Sequence, residues 1–163
     1  MATWREFETQ APELAAAVRA RFEATKHHVM ATLRRDGSPR VSGTEVDFHG
    51  DDLTTGSMWE AVKARDLQRD GRFAIHANPG DGSMAGGDAK VAGVAVELGD
   101  ADKRALARGV PDDDEEHADP PGPYHLFRLD LHEVVLTSLH PKGDCLVIET
   151  WRPGQPVARV ERR

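Results

Sequence analysis

The chain has 163 residues, 39% of them apolar, and 21 Lys and Arg stand against 28 Asp and Glu for a net charge of −7. That length suits one domain with a proper core, while the acidic balance excludes a dedicated nucleic-acid binder, which carries a basic surplus. With no apolar run of about eighteen residues to span a membrane, no signal-peptide layout at the N-terminus and a single cysteine, Cys145, which excludes an internal disulfide and a multi-Cys zinc site, the expectation is a soluble, cytoplasmic domain over residues 1–163.

Residues 1–26 read as a helical segment. Thr3 and Glu6 have capping-box spacing, in which hydroxyl and carboxylate each satisfy an orphan backbone N–H. Pro12 suits the first turn of a second helix, where its missing donor costs nothing. Leu14, Val18 and Phe22 then follow at four-residue spacing as one apolar stripe. From His28 the period changes to two. Val29, Ala31 and Leu33 alternate with Met30, Thr32 and Arg34, residues 35–39 supply a turn, and Val41 to Phe48 runs extended again. The phase of that second run slips near Gly43. A slip there reads either as a bulge that bends the sheet or as a place where something approaches the backbone closely.

A short strand, Leu53 to Gly56, leads into Ser57-Met58-Trp59-Glu60, a second capping-box pattern. It predicts a helix to about Arg69, with Lys63 about a turn and a half inside it. Arg72 to Ala77 reads as a strand, residues 78–87 as a loop, and another strand begins near Lys90. Asp100 caps a short helical piece, Ala101 to Arg108. Residues 109–123 form an acidic, proline-broken loop whose carboxylates at 112–116 repel each other and favour solvation. A calcium loop there would need a glycine and alternating ligands in a register the segment lacks. Phe127 to Leu136 and Asp144 to Trp151 are the last strands. Six or seven strands in hairpin-like succession, with no repeating strand–helix–strand rhythm, give a mainly antiparallel β fold with added helices. A barrel is the natural way to remove its edges.

Few residues advertise chemistry. Elbow, phosphate-loop and zinc-helix motifs are absent, and no metal site is assigned. His27 and His28 are adjacent on a strand and therefore point to opposite faces, one buried and one solvated. Cys145 sits among apolar strand residues as a small core side chain. Thr54-Thr55-Gly56-Ser57 is more informative, because a strand ending at a helix N-terminus presents free N–H groups and a positive dipole end, which suit a phosphate. Lys63 can reach towards the same place. The plain alternative is that Ser57 caps a structural helix and Lys63 is solvated.

Three stretches carry a resemblance: residues 28–48 (HVMATLRRDGSPRVSGTEVDF), 52–57 (DLTTGS) and 63–76 (KARDLQRDGRFAIH). In order and spacing they resemble the pyridoxamine 5′-phosphate oxidase-like split β-barrel superfamily of flavin and deazaflavin reductases. Residues 90–97 resemble the following family strand. The resemblance implies a six- to seven-stranded antiparallel split barrel, working as a homodimer with two flavin-type sites at the subunit interface. By position, Ser42, Gly43 and Thr44 would offer backbone contacts to the ring, Thr55, Gly56 and Ser57 would line the ribityl and phosphate side, and Lys63 matches the phosphate-binding lysine. FMN is the implied cofactor and a deazaflavin the alternative. No catalytic side chain is implied, since the cofactor carries the chemistry.

The departures are specific. The true oxidases have an arginine in the position of Ser42 and a lysine in that of Asp47, and their Ser-Arg-Lys motif reads Ala61-Val62-Lys63 here. Each missing cation removes a charge-assisted bond of roughly 1.5–3 kcal/mol. That argues against pyridoxamine phosphate oxidation and against tight FMN binding, unless Arg40, Arg65 or Lys90 of the partner subunit compensates. The alternative from another class is a non-catalytic protein on the same barrel, storing or sensing a flavin or a haem. Haem would take one of the eight histidines as axial ligand, and no spacing selects one.

Overall fold

The computed structural model describes residues 1–80, 82–107 and 122–163. Most of the acidic loop expected at 109–123 therefore lies outside the described residues. The chain opens with α1 (Trp4–Gln10) and α2 (Pro12–Glu23), where the local signals place them. Thr3 Oγ1 accepts the Glu6 N–H at 3.2 Å, and the Glu6 carboxylate accepts the Thr3 N–H at 2.7 Å.

The strands are β1 (His28–Leu33), β2 (Pro39–Thr44), β3 (Asp47–His49), β4 (Asp52–Met58), β5 (Arg72–His76), β6 (Asp88–Glu97), β7 (Tyr124–Leu139), β8 (Leu146–Trp151) and β9 (Ala158–Arg162). Helix α3 (Val62–Arg69) joins β4 to β5, and α4 (Asp100–Ala107) follows β6. All neighbours pair antiparallel in the order β2-β1-β5-β6-β7-β4-β3, and β8 joins β7 to β9. The class is the expected one, mainly antiparallel β with helices added.

The 16-residue β7 organises the whole. Along one edge it pairs with β6, while along the other it serves β4 through residues 124–128 and β8 through residues 134–139. The β6–β7 register shifts between Ala92 and Gly93. A side chain at Gly93 would put its Cβ 1.9 Å from the Asp130 carbonyl oxygen, so only glycine allows the strands to meet there. Helices α1 and α2 cover the sheet with Trp4, Phe7, Val18 and Phe22, all at most 2% exposed. Trp4 meets Phe7 and Phe48 edge-on at 5.2 and 4.7 Å. Burying each such aromatic contributes about 2–3 kcal/mol.

Three local expectations change. The described residues form nine strands, not six or seven, because β3 separates from β2 and because β9 follows β8. The β1–β2 register runs unbroken from His28 opposite Thr44 to Leu33 opposite Pro39, so Gly43 makes no bulge. The phase change lies instead at Glu45 and Val46, where the chain leaves β1 and crosses to β4. Finally, Ser57 does not cap a helix. It stands opposite His125 in the β4–β7 ladder, and α3 begins at Val62 with Ala61 as its N-cap. Lys63 is thus the second residue of that helix.

Candidate functional site

The path of ladders ends at β2 on one side and at β4–β3 on the other. These ends approach one another without sharing a backbone ladder. Side chains join them: Thr44 Oγ1 and Thr55 Oγ1 are 2.8 Å apart, and the Thr55 hydroxyl donates to the Glu45 carbonyl at 2.7 Å. Lys63 reaches over from α3, its Nζ donating to the Gly43 carbonyl at 2.9 Å and to Thr44 Oγ1 at 3.2 Å. Strand alternation explains the convergence. Thr44 and Ser42 share the inward side of β2, as Thr55 and Ser57 do on β4 with the buried Leu53. Gly43 and Gly56 lie on the opposite parity and are exposed.

Burial pushes the Lys63 ammonium below the ordinary lysine range, against an opposing pull from Glu45. A half-buried cation held by a carbonyl and a hydroxyl has no carboxylate in direct contact, and is ready to exchange those neutral partners for an anion. Two of the other expected cations are committed. Arg40 Nε donates to Asp66 Oδ2 at 2.6 Å, and Arg65 pairs with Glu60 at 3.2 Å. Lys90 stands on β6 opposite His76. Asp66, 3% exposed, also accepts from Thr32 at 3.1 Å and Arg69 at 2.9 Å. This ties α3 to β1 and β2 and so fixes the base of the Lys63 side chain.

Two features suit a bound ring and phosphate. Gly43 and Gly56 each have a negative φ and nothing within 4 Å of where a Cβ would stand, so neither backbone conformation nor packing among the described residues calls for glycine. Ser57 Oγ is buried and has no hydrogen-bond partner among the described residues, which leaves its hydroxyl open to a ligand oxygen. Of the seven predicted positions, the structure draws together Gly43, Thr44, Thr55 and Lys63. Ser42, Gly56 and Ser57 lie on the same strand ends without a bond to that group.

A second cluster borders the site. His125, 4% exposed on β7, has Nδ1 2.6 Å from Glu97 Oε1 and accepts the Glu60 N–H at Nε2 over 3.1 Å. Trp59 stacks on its ring at 4.8 Å with planes 6° apart. Glu60 has φ +57, a conformation that costs a residue with a Cβ about 1–2 kcal/mol. Gln68 of α3 donates to the other Glu97 oxygen at 2.9 Å. Burial raises the Glu97 pKa, but the bonds from His125 and Gln68 outweigh it and hold the carboxyl below its usual range. No spacing in the sequence links these residues. The only trace is the Ser57–Glu60 pattern, which marks the turn for another reason.

The remaining assignments are simple. His27 precedes β1 and so is not on the strand as expected, but one histidine is buried and the other solvated: His28 is 3% exposed, accepts the Asn78 N–H at Nδ1 and meets Phe22 edge-on, while the His27 side chain is 76% exposed. Cys145 is buried and free. Among the described residues no helix is long and apolar enough to cross a membrane.

No protein-family model matches the chain, and no curated protein matches its sequence. Solved structures do match. PhzG from Burkholderia lata 383, determined with tetrahydrophenazine-1-carboxylic acid, superposes with TM-score 0.66 at 17% identity, covering 96% of this chain and 91% of its own. A pyridoxamine 5′-phosphate oxidase-related, FMN-binding protein from Nostoc punctiforme gives 0.62 at 15% identity over 94% and 96%. HutZ, the haem storage protein of Vibrio cholerae, gives 0.59 at 16% identity over 82% and 98%. At these identities the likeness is one of fold.

Proposed function

We propose that this chain, which has the fold of the pyridoxamine 5′-phosphate oxidase-like split barrels, is a flavin- or deazaflavin-dependent oxidoreductase acting on a small molecule. One observation carries the reading: Lys63, Thr44 and Thr55 converge beside two strand glycines that nothing else among the described residues requires. FMN is the first cofactor to test, and the FMN-binding Nostoc protein of the same fold supports that choice. When bound, a flavin supplies hydride or electron transfer. Lys63 and the Ser57 hydroxyl would hold the anionic end, and the bare backbone at Gly43 and Gly56 would let a flat ring lie close. Ser42 would add a backbone contact beside Gly43. The chain works as a homodimer in this reading, with Val29 and Val41, 45% and 69% exposed next to Gly43, on the surface between copies.

Pyridoxamine phosphate oxidation itself is disfavoured. Arg40 and Arg65, which would replace the missing cations, are already paired with Asp66 and Glu60. FMN titration tests the site directly. Lys63→Ala should weaken binding at least tenfold, matching the roughly 1.5–3 kcal/mol of a bond to a charged group; unchanged affinity would remove Lys63 from the site. The fold of HutZ keeps haem as the second reading. A Soret band on adding haem, with no uptake of FMN or a deazaflavin, would select it.

A further inference from the structure

We propose that His125 is a positioning residue, a proton-dependent latch on the Trp59–Ala61 turn that leads into Lys63. The inference rests on the flavin reading only for what the latch serves. Its geometry stands alone. The Glu60 amide donates to His125 Nε2 at 3.1 Å, so that nitrogen carries a lone pair and the ring is the Nδ1–H tautomer, donating to Glu97 at 2.6 Å. Both ring nitrogens are thereby assigned. Adding a proton leaves the Glu97 bond in place and converts Nε2 from acceptor to donor. Two N–H groups then face each other, and the Glu60 amide loses its partner.

The turn is closed by the Ala61 N–H bond to the Met58 carbonyl at 3.1 Å, and the His125 bond is what holds the Glu60 amide inside it. Glu60 sits at φ +57, and Met58, Trp59 and Val62 are 81%, 56% and 55% exposed. Lys63 is one residue beyond Val62, so the latch and the α3–Asp66 anchor hold the lysine from both sides. The groups facing the imidazole are few. Glu97 of β6 carries the countercharge, shared with Gln68 of α3 at 2.9 Å. Lys103 of α4 acts on Glu97 from further off while its Nζ donates to the Tyr124 carbonyl at 2.7 Å. The Glu60 carboxylate is turned to Arg65 at 3.2 Å. Trp59 covers one ring face, and Phe127 lies 6.2 Å away. Among the described residues the Glu60 amide has no hydrogen bond besides the one to His125. Acidification should therefore loosen the turn and, through it, weaken the hold on an anionic ligand.

Hydrogen exchange at the Glu60 amide, read by NMR on the full chain and corrected for the intrinsic pH dependence of exchange, tests the latch without any ligand. On lowering the pH from about 7.5 to about 5.5, Glu60 protection should fall about tenfold while amides of the β6–β7 ladder stay unchanged. His125→Gln offers a carbonyl acceptor that does not titrate and should keep Glu60 protected at both pH values. His125→Phe keeps the stack without an acceptor and should leave it unprotected at both. The wild-type protein alone decides if either variant misfolds: constant protection of Glu60 overturns the proposal, and so does a Gln variant that keeps the wild-type pH response. FMN affinity, taken as the ratio of wild type to the Gln variant so that the phosphate's own titration cancels, should fall in step with protection, and a pH-independent ratio refutes the coupling to Lys63. A chain that takes up neither FMN nor a deazaflavin at either pH sinks the cofactor reading alone, and the exchange result still decides the latch.

Discussion

Asp66 shows how one buried carboxylate can hold a site it never enters. Burial raises its pKa, but hydrogen bonds from Arg69, Arg40 and Thr32 overcome this and hold the carboxyl below its ordinary range. A carboxylate depressed in the folded state stabilises the fold fully above its unfolded pKa of about 3.9, and that stabilisation is lost as pH falls through the lower folded value. Asp66→Asn should therefore cost about 2–4 kcal/mol near neutrality, because Arg40 and Arg69 are left without their countercharge. Urea denaturation at several pH values checks the sign: the gap between wild type and variant should shrink below about pH 4. The glycines make a second comparison. Gly93→Ala drives a Cβ into the Asp130 backbone and should cost about 2–3 kcal/mol. Gly43→Ala and Gly56→Ala meet open space and should leave stability within about 0.5 kcal/mol while lowering flavin affinity. Equal loss of stability at all three would contradict the reading of 43 and 56 as ligand-facing.

Among the elements, the β4–α3 connection separates what sequence signals can specify from what they cannot. The capping box at Thr3 and the proline at Pro12 work because each acts within one turn and no distant partner competes. The same spacing at Ser57 and Glu60 misleads. Residues 54–58 are claimed by a five-pair ladder with β7, and the Glu60 amide by a histidine 65 residues away. Strand β9 escapes a periodicity reading because all five of its residues are exposed, leaving no buried face to alternate. The site itself was half legible. Lys63 and the residues at 42–44 and 55–57 follow from the family resemblance, but the Thr44–Thr55 contact requires knowing that the two sheet ends meet. The turn also carries a prediction of its own. Glu60→Gly removes the left-handed penalty at φ +57 and should raise stability by about 0.5–1 kcal/mol in urea melts. A clear loss would mean that the Glu60–Arg65 pair matters more than the strain.

At the scale of the whole molecule, the net charge of −7 first seems at odds with an anionic ligand. Eight of the acidic residues fall between Asp100 and Asp119, distant in sequence from Lys63, while Asp66 and Glu60 pair with Arg40 and Arg65. In the proposed reading, attraction for a phosphate therefore rests on Lys63. The assembly prediction belongs here as well. Val41→Glu places a charge at a 69% exposed position and should leave the fold intact while converting a dimer to a monomer in light scattering. A dimer that persists would move the interface elsewhere. One further consequence follows from a ladder that stops at β2. An unpaired strand edge invites pairing with other chains, and an edge lysine is a common deterrent. Lys63 is not on that strand, but reaches its end from α3 and is seated on the Gly43 carbonyl. In the proposed reading the cation that would meet a phosphate also covers the end of this strand, and Lys63→Ala preparations should aggregate sooner on concentration even where no cofactor is present.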